Sequence, residues 1–248
     1  MLRALLKSTK YLSLVFVFLF LLPLGVHAAV FWSKGWEKSW RSADWSSSGI
    51  LSESASTSEP TISVYAARTG RWKGIFAVHS WILVKDRNSQ SWDRYEVVGW
   101  GTPIRKNAYA PDARWYGNEP MLVGSVTGEL AETLIPKVRA SVHRYPHGAR
   151  GDYHIWPGPN SNTFVATVLR EVPELGLSLP PTAVGKDYLA DGGWFSIGRD
   201  GVKFSANGIF GFSVGGTEGF EINILGLVAG FDWQHPALKL PGFGRIGA

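Results

Sequence analysis

Apolar segments of strand length dominate the chain between residue 60 and residue 126. Four of them are rich in β-branched and aromatic residues and are separated by polar or glycine-containing stretches, a pattern that is typical of strands. They predict strands at residues 62–66, 75–84, 95–100 and 121–126. The sequence RTGR at residues 68–71 supplies a turn signal between the first two.

The pattern then changes to a helical one. Apolar residues recur every four positions at Leu130, Leu134, Val138 and Val142, which predicts a helix that Pro136 kinks or restarts. Residues 152–156 have the composition of a short strand. Residues 160–171 predict a second helix, which begins with good capping residues and is closed by Pro173.

The last third of the chain is rich in glycine and alternates polar with apolar residues. Fifteen of the 29 glycines lie between Gly185 and the end, and alternation is clear at residues 202–205. Short segments up to Phe231 therefore predict a β-meander with glycine turns. The expected class is α+β, with residues 61–248 forming one domain whose β-rich C-terminal extension begins near residue 190.

The N-terminus has the pattern of an export segment. Arg3, Lys7 and Lys10 precede a mostly apolar run at residues 11–24, and small residues allow cleavage after Ala28. Alternatively, residues 11–32 form an uncleaved anchor, since they could just span a hydrocarbon core of roughly 30 Å. In both cases residues 1–28 deliver the domain to the extracytoplasmic side, in the periplasm or on the inner membrane.

Residues 29–60 are expected to hold a tryptophan-bearing helix and a linker. Trp32, Trp36 and Trp40 recur at helical spacing, so their indoles would form a stripe on one face of a helix. That stripe would rest on the membrane surface or pack on the domain itself. Residues 46–60 are rich in Ser, Thr and Glu and predict a linker.

Charge and cysteine content exclude two classes of function. Arg3, Lys7 and Lys10 belong to the export segment, which leaves 22 of the 25 basic residues against 20 acidic ones. This balance gives no electrostatic footprint for a nucleic acid, so no nucleic-acid partner is expected. The chain has no cysteine, which excludes disulfides, thiolate catalysis and thiolate metal sites.

Two places could carry chemistry. His79 lies inside an apolar strand, where an imidazole must be hydrogen-bonded, coordinate a ligand or face a cleft. Asn160 and Ser161 follow a Pro/Gly turn and begin a helix. They can cap that helix, and a side chain at this place also meets free N–H groups and the positive end of the helix dipole, which stabilise a developing oxyanion.

These residues carry a resemblance to known families. The phrases RWKGIFAVHSW at residues 71–81, WPGPNSNTF at 156–164 and LPPTAVGKD at 179–187 resemble a bacterial exported domain family of unknown function. His79 followed about eighty residues later by the sequence NSNTF also resembles the circularly permuted branch of papain-like enzymes, which includes lecithin–retinol acyltransferase-like proteins and cell-wall amidase relatives. In that branch the histidine precedes the nucleophile, and an Asn-Cys element opens the catalytic helix.

The papain-like resemblance implies an α+β core with an antiparallel sheet and a site without a cofactor or metal. His79 falls on the position of the general base and Ser161 on that of the cysteine nucleophile, so a hydroxyl replaces a thiol and needs a well-aligned base. Glu96 is a candidate partner for His79. The predicted binding residues are Asn160, Asn162, Trp81 and Trp156, and Asn160 or Asn162 could contribute to an oxyanion pocket.

The implied function is hydrolysis or acyl transfer at amide or ester bonds of the cell envelope, with peptidoglycan peptide or lipid as substrate. The alternative is an inactive protein of the same fold that binds envelope material or an envelope protein. His143, His147, Asp152 and His154 cluster in sequence, but they lack zincin-type spacing and are interpreted as surface residues rather than metal ligands.

Overall fold

A computed structural model describes residues 2–35, 39–51 and 58–247 of the chain. The described part is α+β with two antiparallel sheets, which confirms the predicted class at this level. The helices are α1 (Leu2–Phe16), α2 (Leu22–Lys34), α3 (Gly128–Arg144) and α4 (Ser161–Glu171), with a π-helical segment at Val17–Leu21 and 3₁₀ turns at Arg71–Ile75 and Pro173–Leu175.

The first sheet has five strands in the order β4-β3-β2-β1-β5. Their bounds are β1 (Thr61–Arg68), β2 (Val78–Lys85), β3 (Asp93–Val97), β4 (Ile104–Lys106) and β5 (Met121–Thr127). One face packs against α3 and α4 in the larger hydrophobic core, and the other face carries a smaller, aromatic core. Strand β2 is buried on both faces, so its side chains are shielded from water.

The second sheet is a seven-stranded meander in which each strand pairs with its neighbours in sequence. Its strands are β6 (Phe195–Gly198), β7 (Gly201–Ala206), β8 (Phe210–Gly215), β9 (Gly219–Ile224), β10 (Leu227–Asp232), β11 (Ala237–Leu240) and β12 (Gly244–Gly247). The meander predicted from the glycine pattern therefore continues beyond Phe231 by two strands.

Three local predictions differ from the structure. Ile75 ends a 3₁₀ turn and β2 begins only at Val78, because the chain must reverse direction before β2 pairs antiparallel with β1. Residues 152–156 are irregular and then bend rather than form a strand, and Pro157 and Pro159, which follow, cannot donate to a ladder. Helix α3 continues through Pro136 without a restart. Pro136 lies on its exposed side, where water can satisfy the carbonyl that the proline leaves free.

The N-terminal segment is helical from Leu2 to Lys34. Within the described residues, one helix is long and apolar enough to cross a membrane, and it covers Lys7–Lys34. This fits a signal peptide or a membrane anchor. Trp32 lies in its last turn and Trp40 in a separate turn, so no single helix carries the predicted indole stripe across them, and Trp36 lies outside the described residues.

Part of the predicted linker is attached to the first sheet's aromatic side. Ser47 forms a β-bridge with Ala113, and the hydroxyl of Ser47 donates to Asp112 at 2.6 Å. Leu51 is buried in the aromatic core. Residues 46–51 are therefore packed, whereas residues 52–57 of the predicted linker lie outside the described residues.

Candidate functional site

A cleft of about 770 Å³ opens where β2 and α4 both begin. Its wall is largely apolar and includes several aromatic side chains, and the β9–β10 turn of the second sheet closes one side. The lining includes Trp72, Phe76, His79, Trp100, Trp115, Tyr116, Tyr153, Trp156, Asn160, Ser161, Asn162 and Leu225. A largely apolar cleft with a few convergent polar groups is typical of a small-molecule or peptide site.

His79 is fixed on both sides in this cleft. Its Nε2 lies 2.7 Å from Oε2 of Glu96, and its ring stacks parallel to the indole of Trp115 with centroids 3.6 Å apart. Because Nε2 is bonded to Glu96, Nδ1 is the ring nitrogen that can interact with a ligand. Glu96 is thus the partner of His79 in the structure, as the sequence suggested.

Glu96 connects His79 to a buried cation. The same Oε2 accepts a hydrogen bond from Nη2 of Arg94 at 2.9 Å, and Arg94 also donates to the carbonyl of Ala110 and lies over the ring of Trp81. Arg94 and Glu96 are fully buried. Side chains two residues apart on a strand share a face. The sequence Arg94-Tyr95-Glu96 could therefore have predicted that Arg94 and Glu96 lie together.

The charges of the group follow from these contacts. Burial raises the pKa of Glu96, but the hydrogen bond with His79 and the charge of Arg94 outweigh it and hold the pKa below its ordinary value. Burial lowers the pKa of His79 by more than Glu96 raises it. At neutral pH the glutamate is therefore ionised and the imidazole neutral, so Nε2–H donates to Glu96 and Nδ1 carries a lone pair that can accept a proton.

Ser161 is the first residue of α4. The side chain of Asn160 caps the helix by accepting from the N–H groups of Asn162 and Thr163, and Thr163 completes a capping box. Ser161 therefore lies at the positive end of the helix dipole. It lies near the phenol of Tyr153, and burial raises the pKa of that phenol to about 12, outweighing Ser161, which lowers it. Tyr153 was not foreseen as a site residue, because it lies in an irregular segment with no periodic pattern.

Asn160 and Asn162 use their amides within the protein. The Nδ2 of Asn160 donates to the carbonyls of Ile155 and Val184. Asn162 accepts from Ser80 Oγ at 2.8 Å and donates to the carbonyls of Val78 and Val184. These bonds fasten the start of α4 to the start of β2, and they position the two elements that carry Ser161 and His79.

The two predicted binding tryptophans have different positions. Trp156 is exposed on the cleft wall, and its Nε1 donates to the carbonyl of Leu225 at 3.0 Å. Trp81 is 0 % exposed and donates to the carbonyl of Pro111. It packs behind His79 and Arg94, so it supports the site and cannot contact a ligand, which corrects the prediction for this residue.

His79 and Ser161 line the same cleft from different directions. Ser80 points from β2 toward α4, where it bonds Asn162, so the alternation of the strand turns His79 to the other face, beside Trp81. In the part of the chain that the structure describes, no hydrogen bond joins the imidazole of His79 to the hydroxyl of Ser161.

The sequence cluster of histidines is dispersed. His143 and His154 are exposed, and the ring of His147 bonds the carbonyl of Ala190. Among residues 2–35, 39–51 and 58–247, no three His, Asp or Glu side chains lie together in a way that could hold a metal ion.

Comparison with known proteins gives one match. Residues 59–188, slightly more than half of the chain, match a family described as "Protein of unknown function (DUF3750)". This range includes β1 to β5, α3, α4 and every residue of the His79–Glu96–Arg94 group. No curated protein and no solved structure matches the chain. The match confirms the resemblance to a domain family of unknown function, and the chain belongs to the DUF3750 family.

Proposed function

We propose that the cleft is a serine–histidine site for hydrolysis or acyl transfer at amide or ester bonds of the cell envelope. The observation that carries this proposal is the neutral His79, clamped through Nε2 by the ionised Glu96, in one cleft with a serine at a capped helix N-terminus. The roles correspond to those of a circularly permuted papain-like enzyme with serine in place of cysteine.

The first step transfers the Ser161 proton to His79. The Oγ–C bond forms as Ser161 attacks the substrate carbonyl, and the hydroxyl proton moves to Nδ1. Glu96 stabilises the resulting imidazolium, as the carboxylate of a catalytic triad does. The carbonyl π-bond electrons move to oxygen and form a tetrahedral oxyanion.

The oxyanion needs donors that are not already bonded. Asn160 occupies the N–H groups of Asn162 and Thr163, so we assign the oxyanion to the N–H of Ser161 and the phenol of Tyr153. Preorganised donors of this kind supply a large share of the rate enhancement in acyl transfer.

The second half of the reaction releases the product. The tetrahedral intermediate collapses, the amine or alcohol leaves with the proton from His79, and an acyl ester remains on Ser161. Water then attacks the ester in hydrolysis, or an acceptor alcohol or amine attacks it in acyl transfer, and His79 again accepts and returns the proton.

This mechanism requires a rearrangement of hydrogen bonds on substrate binding. His79 projects from the face of β2 opposite α4, so the Ser161 hydroxyl and Nδ1 of His79 must come within hydrogen-bond reach of each other when substrate binds. The aromatic wall favours a substrate with an apolar chain or an extended peptide, which agrees with lipid or peptidoglycan peptide on the extracytoplasmic side of the membrane.

A second function has its own support. Because no hydrogen bond joins the Ser161 hydroxyl to His79 in the described part of the chain, the same groove could bind envelope material without turnover. In that case Trp156 and the other aromatic residues would bind the ligand, and Ser161 would have only a structural role at the start of α4.

Covalent labelling separates the two functions. The full chain in detergent micelles is treated with a fluorophosphonate, whose phosphorus reacts with activated serines with loss of fluoride. It is also incubated with panels of peptidoglycan and phospholipid. We expect labelling at Ser161, and a loss of labelling and turnover of about 1000-fold or more in Ser161→Ala and His79→Ala.

The matched control is Ser125→Ala, which removes a hydroxyl on β5 that bonds Ser63 outside the cleft. Its labelling and turnover should equal those of the wild type. Turnover that survives both Ser161→Ala and His79→Ala would refute the catalytic assignment. Ligand binding without turnover, unchanged by Ser161→Ala, would establish the binding function instead.

A further inference from the structure

The C-terminal sheet has two chemically opposite faces. Its register places apolar residues opposite one another from strand to strand, as in the pairs Val214 with Phe220, Phe220 with Phe231, and Phe231 with Leu238. The intervening positions pair Ser213 with Glu221. Because alternate residues of a strand face opposite sides, one face of the sheet is apolar and the other polar.

The exposure of these faces is the reverse of that expected for a sheet in water. On the apolar face Phe212 is 42 %, Ile246 48 % and Leu238 54 % exposed, whereas on the polar face Glu221 is 2 % and Lys239 3 % exposed. A half-buried antiparallel sheet normally turns its apolar face to the core and its polar face to solvent. A continuous apolar surface of this kind marks a place where something other than water is contacted.

Buried ion pairs fix this orientation. Glu221 accepts from Lys239 at 2.5 Å and from Lys186, and Lys203 donates to Asp187 at 2.7 Å. Lys186 and Asp187 lie in the segment that follows α4, so these pairs attach the second sheet to that segment. Rotating the polar face to the outside would separate paired charges that are already desolvated.

The N-terminal helix contacts the same sheet. The π-helical segment Val17–Leu21 packs against β10, and Phe20 is buried there. Farther along, the ring of His27 packs edge-on against Phe243, in the β11–β12 turn, with centroids 5.2 Å apart. The helix that is long and apolar enough to cross a membrane is thus attached to the sheet, while its own side chains such as Phe18 remain exposed.

We propose that the apolar face of the C-terminal sheet lies on the surface of a lipid bilayer, beside the N-terminal helix. The bilayer is the one occupant that covers both the sheet and the free apolar side of the helix. A second copy seated on the sheet would leave that side of the helix in water. The exposed Trp194 and Trp233, which flank β6 and β10, have the residue type that concentrates at membrane–water interfaces.

The contact is interfacial rather than an insertion of the sheet. The outer edges of β6 and β12 have backbone groups without a strand partner in the described chain, and such groups cannot enter the hydrocarbon core. In the headgroup region water satisfies them, while the phenylalanine rings reach the acyl boundary.

Site-specific labelling tests this proposal on the full chain, because the sequence has no cysteine. Single variants Phe212→Cys and Ile246→Cys carry an environment-sensitive fluorophore in vesicles of phosphatidylethanolamine and phosphatidylglycerol. Leu12→Cys on the exposed side of α1 gives the lipid reference, and Gln90→Cys, on the exposed loop before β3, gives the water reference. Nitroxide-labelled lipids and aqueous iodide serve as alternative quenchers.

We expect Phe212→Cys and Ile246→Cys to resemble the lipid reference, with blue-shifted emission, strong quenching by nitroxide lipids and at least a severalfold weaker quenching by iodide than Gln90→Cys. Quenching by iodide equal to that of Gln90→Cys would overturn the proposal. Protection from both quenchers would also overturn it, because the face would then be covered by protein.

Discussion

Glu96 is shared between two partners that differ in charge. Its Oε2 contacts both His79 and Arg94, and its Oε1 is buried without a hydrogen-bond partner among the described residues. The carboxylate therefore balances the guanidinium and at the same time holds one tautomer of the imidazole. A strand that carries Arg and Glu two residues apart predicts a shared face. Neither the stacking of His79 on Trp115 nor the position of Tyr153 in the cleft could be predicted, since both depend on loops.

The buried imidazole makes stability depend on pH. Burial lowers the pKa of His79 in the folded state below the value of 6.5 that applies when it is unfolded. Below about pH 6.5 the unfolded chain binds a proton that the folded chain does not. Stability should thus be constant above that pH and fall as pH decreases below it, by at most about 1.4 kcal/mol per pH unit for this one group.

Denaturant unfolding of the full chain at several pH values between 5 and 8 measures this slope. In His79→Gln the slope below pH 6.5 should be smaller than in the wild type. His143→Gln removes an exposed imidazole at the end of α3 and should leave the slope unchanged. An equal slope in the wild type and His79→Gln would show that the buried imidazole does not titrate as stated.

The start of α4 is the element that organises the cleft. Asn160 accepts two hydrogen bonds from the helix start and donates two to neighbouring loops, and Gly185 leaves no room for a Cβ beside it. The capping residues were readable from the sequence because Asn and Ser before an apolar run are a strong helix signal. The bonds to Val184 were not, since they join residues that are distant along the chain.

Replacement of this cap should weaken the helix and the cleft together. For Asn160→Ala we expect a loss of about 2 kcal/mol in the free energy of unfolding, at the upper end for an N-cap because two further bonds disappear. Denaturant unfolding followed by tryptophan fluorescence measures it. The matched control is Thr127→Ala, at the N-cap of α3, where no side-chain cap bond exists. An equal loss in both variants would contradict the special role of Asn160.

Whole elements were predictable where periodicity was strong and local. The strands β1, β2 and β5, both later helices and the meander follow from their apolar patterns, whereas β4 was missed because three half-exposed residues carry no pattern. The faces of the C-terminal sheet were also missed. Alternation at residues 202–205 predicts two faces, but only the structure determines that the polar face is the buried one.

At the scale of the molecule, charge joins the second sheet to the segment that follows α4. Burial lowers the pKa of Lys186, but Asp187 and Glu221 outweigh it and raise the pKa above its ordinary range. Lys186 therefore stays charged inside the protein. Glu221 accepts hydrogen bonds from both Lys186 and Lys239. Asp187 therefore cannot replace Glu221 as their shared partner.

Removing that carboxylate should loosen the meander. In Glu221→Gln two buried ammonium groups lose their shared partner, and removal of one member of a buried pair costs about 3–5 kcal/mol. Relative to the wild type, we expect amide hydrogen exchange to accelerate more in β7 to β11 than in β1 and β2, and the unfolding midpoint to be lower. Glu174→Gln, in an exposed pair with Lys137, should change little. An equal acceleration of hydrogen exchange in both sheets of Glu221→Gln would contradict this role of the buried ion pairs.

The β9–β10 turn belongs to both of the surfaces described above. Leu225 is exposed at the end of the apolar sheet, and its carbonyl holds Trp156 at the wall of the cleft. Under the two proposals made above, an amphiphile diffusing in the plane of a bilayer would reach the Ser161 hydroxyl by passing Leu225, without entering bulk water. Selection among such molecules would then depend on the acyl chain that passes Leu225 first. The reaction rate would depend on the fraction of substrate among the lipids of the bilayer rather than on its total concentration.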